Sequence, residues 1–335
     1  MVQAIELLDY IKAGNIAPVY VLSGDEPFYI DLISDYIEKE ILTEEEKGFN
    51  QTVLYGKEAV PSQVVESARR FPMMAEKQVI ILKEAKHISN FTEFEAYFKN
   101  PTPSTILVIA LKNKSFDKRT AAYKAAKANK EVVLLETKKL YDNQLPEWIS
   151  SFAKMEGFKI SPKASMMISD HLGNDLARIG NEIQKLKINL KEGAEINDEI
   201  VDKYIGISKD YNVFELNSAL NAGDHARAQK IAYYFDKNPK QHPLVVTIGT
   251  LYGNFSKLLA IHYLKDKHPG HVAKTLKVNP YFAKDYINAS HRFKPNKLVG
   301  IISMLREYDL KSKGVGNSDA SDGELLKELC FRILN

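Results

Sequence analysis

Through its first 137 residues the chain alternates short, unbroken apolar runs with longer segments whose apolar residues recur every three or four positions. The segments at 19–22, 52–55, 79–82, 106–110 and 132–135 read as strands, those at 79–82 and 106–110 of the kind a sheet buries on both faces. Between them lie predicted helices over 27–41, 61–68, 93–98 and 118–128, preceded by an opening helix that carries Ile5, Leu8 and Ile11 and ends near Gly14. Five strands with helices between them predict a parallel α/β sheet. Beyond about residue 138 the strand signals stop. Helices are expected over 142–156, over 161–173 and from an Asn174 cap through Leu176, Ile179, Ile183 and Leu186, with a short one from Asn197 to Tyr204. From Tyr211 the pattern is helical to the end: 214–220, 228–235, 242–265, helices opened by Pro280 and Pro295, a small-residue loop over 314–323 and a closing helix over 324–334. The expected domains are an α/β domain over 1–140, a small three-helix domain over 141–208 and a helical domain over 209–335.

One connection departs from the pattern. Between the helix opened by Pro61 and the strand at 79–82 the chain reads Arg69-Arg70-Phe71-Pro72-Met73-Met74-Ala75-Glu76-Lys77-Gln78. A surface connection is ordinarily polar. This one sets Phe71, Met73 and Met74 side by side, with Pro72 stopping the helix and stiffening the chain. Two readings stand. The side chains fold back onto the domain's own core, as most apolar residues near element ends do. Alternatively they form an exposed wedge for a partner's pocket, a role that suits the flexible thioether of methionine.

Composition narrows the classes. At 335 residues, 44% hydrophobic and 27% charged, the chain is globular and long enough for two or three domains. One cysteine, Cys330, excludes an internal disulfide and a cysteine metal cluster, and fits a reducing compartment. No basic-then-apolar leader opens the chain, and no unbroken apolar run nears the ~18 residues of a membrane span. The net charge of +3 is uneven: residues 211–335 hold 18 Lys and Arg against 11 Asp and Glu, the rest 28 against 32. Such a mildly basic C-terminal third suits weak or assisted contact with phosphates rather than independent DNA binding.

Catalytic patterns are scarce. A phosphate-cradling loop needs two glycines, a lysine and a hydroxyl. After the first strand the chain instead reads Gly24-Asp25-Glu26-Pro27-Phe28-Tyr29-Ile30-Asp31. Asp25 and Glu26 would repel phosphate and Pro27 removes an amide donor; paired acids here are better read as helix caps. Gly56-Lys57 is followed by Glu58 and lacks the upstream glycine. The eight histidines show no metal spacing, and His268 and His271 beside Pro269-Gly270 read as a solvated loop. There is no nucleophile elbow, and Cys330, between Leu329 and Phe331, reads as a packed thiol.

Four segments carry a resemblance: Pro18 through Ile30, Phe71 through Val79, Asp175 through Leu186, and Val213 through Leu220. In this order and at these separations the chain resembles the delta subunit of the bacterial DNA polymerase III clamp loader over its whole length. That resemblance implies an AAA+-like fold: a RecA-type sheet domain, a helical lid and a helical collar that assembles the loader. It implies a subunit of the DNA-directed DNA polymerase (nucleotidyltransferase) holoenzyme without catalysis or cofactor of its own. This subunit would bind and open the β sliding clamp while ATP-binding sister subunits supply the energy. The implied partners are the clamp, those sister subunits, the delta-prime subunit and primer–template DNA, in the cytoplasm and away from membranes. The family's clamp-contacting apolar pair falls on Met73 and Met74, flanked by Phe71 and Pro72, with Met74 where an aromatic is usual. No DNA-stacking aromatic can be matched at Lys313-Gly314-Val315-Gly316. The alternatives are a self-standing NTPase with a divergent nucleotide site and an inert helical scaffold.

Overall fold

A computed structural model describes residues 2–317 and 319–335. By contacts the chain divides into two compact units, Met1–Leu140 and Tyr141–Asn335.

The first unit is built on strands β1 (Val19–Gly24), β2 (Gln51–Tyr55), β3 (Gln78–Lys83), β4 (Thr105–Lys112) and β5 (Val132–Thr137). They pair in the order β2-β3-β4-β1-β5, all parallel, with Val21 opposite Ile109 on one side and Leu134 on the other. The central strands β1, β3 and β4 are the continuous apolar runs, and they are buried almost throughout. Helices α1 (Val2–Lys12), α2 (Pro27–Glu40), α3 (Glu44–Asn50), α4 (Pro61–Ala68), α5 (Thr92–Lys99) and α6 (Ala121–Ala128) surround the sheet. Val19, Val21, Ile80, Leu82, Leu107 and Ile109 point to the face covered by α4, α5 and α6, where Val64, Ala68, Phe94, Tyr97, Phe98 and Ala126 complete one core. On the opposite face α2 buries Ile30, Ile33 and Ile37.

Two elements here differ from expectation. Helix α3 was hidden by its charged run, yet Thr43 and Glu46 form a reciprocal capping box at its start. Helix α6 starts at Ala121 rather than 118, because the Thr120 hydroxyl accepts the Tyr123 N–H and so caps it there.

The second unit holds α7 (Leu145–Met155), α8 (Pro162–Leu172), α9 (Leu176–Lys185), α10 (Asp198–Ile200), α11 (Val213–Ala222), α12 (His225–Lys237), α13 (Leu244–His262), α14 (Pro269–Leu276), α15 (Ala283–Arg292), α16 (Pro295–Ser312) and α17 (Asp322–Leu334). Strands are not absent beyond residue 138: β6 (Lys159–Ile160) and β7 (Glu195–Ile196) form a parallel pair, too short to leave a periodic signal. The cap of α9 is Asp175, not Asn174; its carboxylate accepts the Arg178 N–H at 3.0 Å. His268 and His271 lie at the start of α14 rather than in a loop, and His268 Nδ1 accepts the Gly270 N–H. Gly323 belongs to α17, where the helix crosses α12 so closely that a Cβ would stand 1.8 Å from Asp236 Oδ1. The loop before it contains Ser318, which lies outside the described residues.

Helix α13, 19 residues long with a mean hydropathy of 1.4, comes nearer to a membrane span than the sequence reading allowed. Its buried face of Leu244, Ile248, Leu251, Phe255 and Leu258 packs into the core shared by α11, α12, α16 and α17. Cys330 sits in that core, where burial pushes its thiol up to about 12.

Candidate functional site

The connection after α4 protrudes. Phe71 is 84% exposed, Met73 62% and Met74 fully exposed, while Pro72 is half-buried. The chain has left the helix at this point: α4 ends at Ala68, so the apolar residues occupy the loop and not the helix tip. Met74 takes a left-handed backbone conformation, φ 54°, uncommon for a residue with a side chain.

The base of this loop is held on both sides. The Gln78 side-chain amide donates to the carbonyls of Ser67 and Arg70 at the end of α4 and to Thr105 Oγ1 at the start of β4. Thr105 Oγ1 in turn donates to the Ala68 carbonyl at 2.8 Å. These bonds satisfy carbonyls that the end of a helix leaves open. On the other side Asn50, buried at the end of α3, grips one residue of the loop twice. Its Oδ1 accepts the Met73 N–H at 2.6 Å and its Nδ2 donates to the Met73 carbonyl at 2.9 Å. The loop is thus a braced protrusion carrying three exposed apolar side chains. Phe49, next to Asn50, is a fourth large apolar residue in the open, 76% exposed. No sequence pattern singles out Asn50 or Phe49. Asn50 stands 23 positions from Met73, and no local pattern links them; only recognition of α3 from its Thr43/Glu46 box would have drawn attention to its last residue.

The corner after β1, where a phosphate loop would lie, has three of its amides already engaged. Gly24 N–H donates to the Lys114 carbonyl, Asp25 N–H to the Thr137 carbonyl, and Phe28 N–H to the Glu26 carboxylate. Pro27 has none to offer. Gly24 adopts φ 126°, and a Cβ there would fall 2.0 Å from the Thr137 carbonyl oxygen. The glycine is required by this close approach. Glu26 is buried as the cap of α2, as the paired acids suggested.

In the second unit the Val213–Leu220 segment has a structural role. Glu215, buried on α11, pairs with Lys163 of α8 at 2.9 Å and with Arg227 of α12, while Lys163 also meets Asp198 at 3.0 Å. Burial alone would lower the Lys163 pKa, but its bonds to Glu215 and Asp198 outweigh that and leave it raised. The Asp175–Leu186 segment forms α9 and its continuation, with Leu176, Ile179, Ile183 and Leu186 all buried.

A parallel sheet of order β2-β3-β4-β1-β5 wrapped by helices, followed by an all-helical unit, is an AAA+-like architecture. The family model "DNA polymerase III, delta subunit" matches residues 20–138, and "DNA polymerase III delta subunit, C-terminal domain" matches residues 210–328. The DNA polymerase III subunit delta of Bacillus subtilis (strain 168) is 26% identical over 332 residues, covering 95% of this chain and 93% of that one. The structure of the Bacillus subtilis DNA clamp loader delta protein superposes with a TM-score of 0.55 at 24% identity, covering 99% of each chain. The chain belongs to the DNA polymerase III delta-subunit family; it is an accessory subunit of the polymerase that acts in DNA replication.

Proposed function

We propose that this subunit grips the β sliding clamp with the loop at Phe71, Pro72, Met73 and Met74 and holds one clamp interface open for loading onto primed DNA. The observation that carries the reading is an apolar tip left in solvent on a base that Asn50 and Gln78 hold in one conformation. A rigid tip loses little entropy on docking, so more of its burial energy appears as affinity. Burying three such side chains supplies about 1.5–3 kcal/mol each before binding costs. The tip opens the ring by mass action: contacts available only on the opened clamp shift the equilibrium toward it.

The subunit hydrolyses no ATP in this reading. The engaged amides of the β1 corner support this, as does the buried carboxylate of Glu26 where phosphate would need donors. Energy then comes from ATP-binding sister subunits, which with the delta-prime subunit would assemble on a helical collar over 209–335, a lid over 141–208 lying between it and the sheet domain in sequence. The mildly basic collar sequence suits assisted contact with primer–template DNA in the cytoplasm.

The test is calorimetric titration of the sliding clamp from the same organism with the chain carrying Met73→Ser and Met74→Ser. The expected result is a loss of at least tenfold in affinity, and of ring opening, with an unchanged melting profile. Wild-type affinity in that variant would refute the proposed contact. Measurable ATP affinity of the isolated chain would favour a divergent nucleotide site instead.

A further inference from the structure

A cavity of about 280 Å³ opens in the second unit between α8, the start of α9 and the turn leading into α13. Four basic side chains converge on it: His171, Arg178, Lys240 and His242. The guanidinium of Arg178 and the amine of Lys240 enter no ion pair or side-chain hydrogen bond among the described residues. The two imidazoles stand 6.2 Å apart, and His242 lies flat on Phe235 at 3.9 Å. Against these donors the lining offers one carboxylate, Asp170. Val246 and Thr247 of the first turn of α13 also face the cavity, and no side chain caps that helix, so its electropositive end adds to the same field. A surplus of unpaired donors around a concave space is chemistry that an anion completes.

We propose that this cavity binds a phosphate group, held by the fixed charges of Arg178 and Lys240 and by hydrogen bonds from His171 and His242. In the free protein burial lowers both histidines, Arg178 lowers His171 further, and His171 contributes to holding His242 down to about 4. A bound dianion reverses this by favouring the imidazolium forms, so binding takes up protons. Asp170, which faces Lys257 of α13 as well as Asp142, is raised by burial to about 6, and its ionisation above that pH also disfavours an anion. Every group around the cavity therefore gives the same sign: affinity falls as pH rises. Phosphate could arrive on a nucleic-acid backbone or on a small phosphorylated molecule.

The experiment titrates the full chain with pyrophosphate, following the histidine ring protons by NMR and proton uptake by calorimetry in buffers of different ionisation enthalpy. The expected result is a saturable shift of His171 and His242 signals, proton uptake once the ionisation of pyrophosphate itself is subtracted, and affinity for a given ionisation form of pyrophosphate about tenfold weaker at pH 8 than at pH 6. Arg178→Ala with Lys240→Ala, both exposed and so free of folding consequences, should weaken binding at least tenfold. His171→Gln with His242→Gln should retain weaker binding and lose the greater part of the proton uptake above pH 6, leaving only the share that Asp170 contributes. Displacement of pyrophosphate by a short single-stranded oligonucleotide would identify the backbone as source. Failure to displace it would identify a small phosphorylated ligand. Absence of any saturable shift, or an equal shift with sodium chloride at matched ionic strength or in the Arg178/Lys240 variant, would overturn the proposal.

Discussion

Replacing Asn50 with alanine removes both bonds that fix the Met73 peptide unit while leaving every exposed apolar side chain in place. The proposed clamp contact would therefore keep its chemistry and lose its shape. Each bond contributes about 1 kcal/mol net. Met73 lies in the open, so water can rehydrate its freed N–H and carbonyl and no buried group is stranded. The bias toward the presented conformation then falls by about 2 kcal/mol, and Met74 is free to leave its left-handed backbone conformation. Ordering the tip again on docking must come out of the binding energy, which corresponds to roughly 30-fold weaker affinity. Gln78 still anchors the loop to Ser67, Arg70 and Thr105, so the sheet domain should melt within a few degrees of wild type. The assay is calorimetric titration of the clamp with Asn50→Ala, beside Met73→Ser/Met74→Ser and the combination of all three. The triple variant should be little weaker than the methionine pair alone, because a tip without its apolar groups gains nothing from being held. Wild-type affinity for Asn50→Ala would refute the claim that bracing the loop matters. Full additivity in the triple variant would show that Asn50 acts on binding by some other route.

Three further outcomes follow from the second unit. Glu215→Gln leaves Lys163 and Arg227 without their shared carboxylate; because both cations are partly solvated, the loss should be about 2 kcal/mol in chemical denaturation, below that of a fully buried pair. Gly323→Ala should gain up to ~1 kcal/mol of helix propensity but lose more, about 1–3 kcal/mol, since its Cβ falls 2.5 Å from the Asp236 Cβ; a net rise in melting temperature would contradict the packing described. Asp170, raised to about 6, contributes stability at low pH that is lost as pH rises through that value, whereas His242, lowered to about 4, contributes stability above its unfolded pKa that is lost as pH falls toward 4. The two oppose each other between those values. Asp170→Asn should therefore be more stable than wild type at pH 7 by about 1–2 kcal/mol, with a steeper fall on acidification, both read from denaturation midpoints across pH.

The central strands were legible because burial on both faces writes them as unbroken apolar runs: β1, β3 and β4 each contain the run assigned to them. Ser161 and Asn197 marked helix starts in the same way, since each lies beside a turn its side chain can bond. Elements without an apolar stripe were missed. Helix α3, Glu-Glu-Glu-Lys-Gly-Phe-Asn, offers a single large apolar residue and leaves it exposed, and the Pro-Gly at the start of α14 imitates a turn. At the candidate contact the apolar residues could be named from sequence, but their exposure could not, because outward and inward placements of Phe71, Met73 and Met74 leave the same letters. What decides between them is a pair of bonds from Asn50, a contact between residues far apart in the chain. The cavity at His171 and His242 was invisible for the same reason: its four basic residues come from three separate stretches of the chain.

The closeness of Gly24 to Thr137 bears on any attempt to build a phosphate loop into this subunit. Grafting a lysine and a hydroxyl into positions 29–31 would supply the side chains of a phosphate loop without the room for one. The end of β5 sits against the backbone where such a loop would have to bulge outward, and the threonine hydroxyl bonds the Glu26 carbonyl at 2.9 Å. Conversion would require lifting the last sheet strand off its neighbour, so side-chain exchange alone should leave the corner inert.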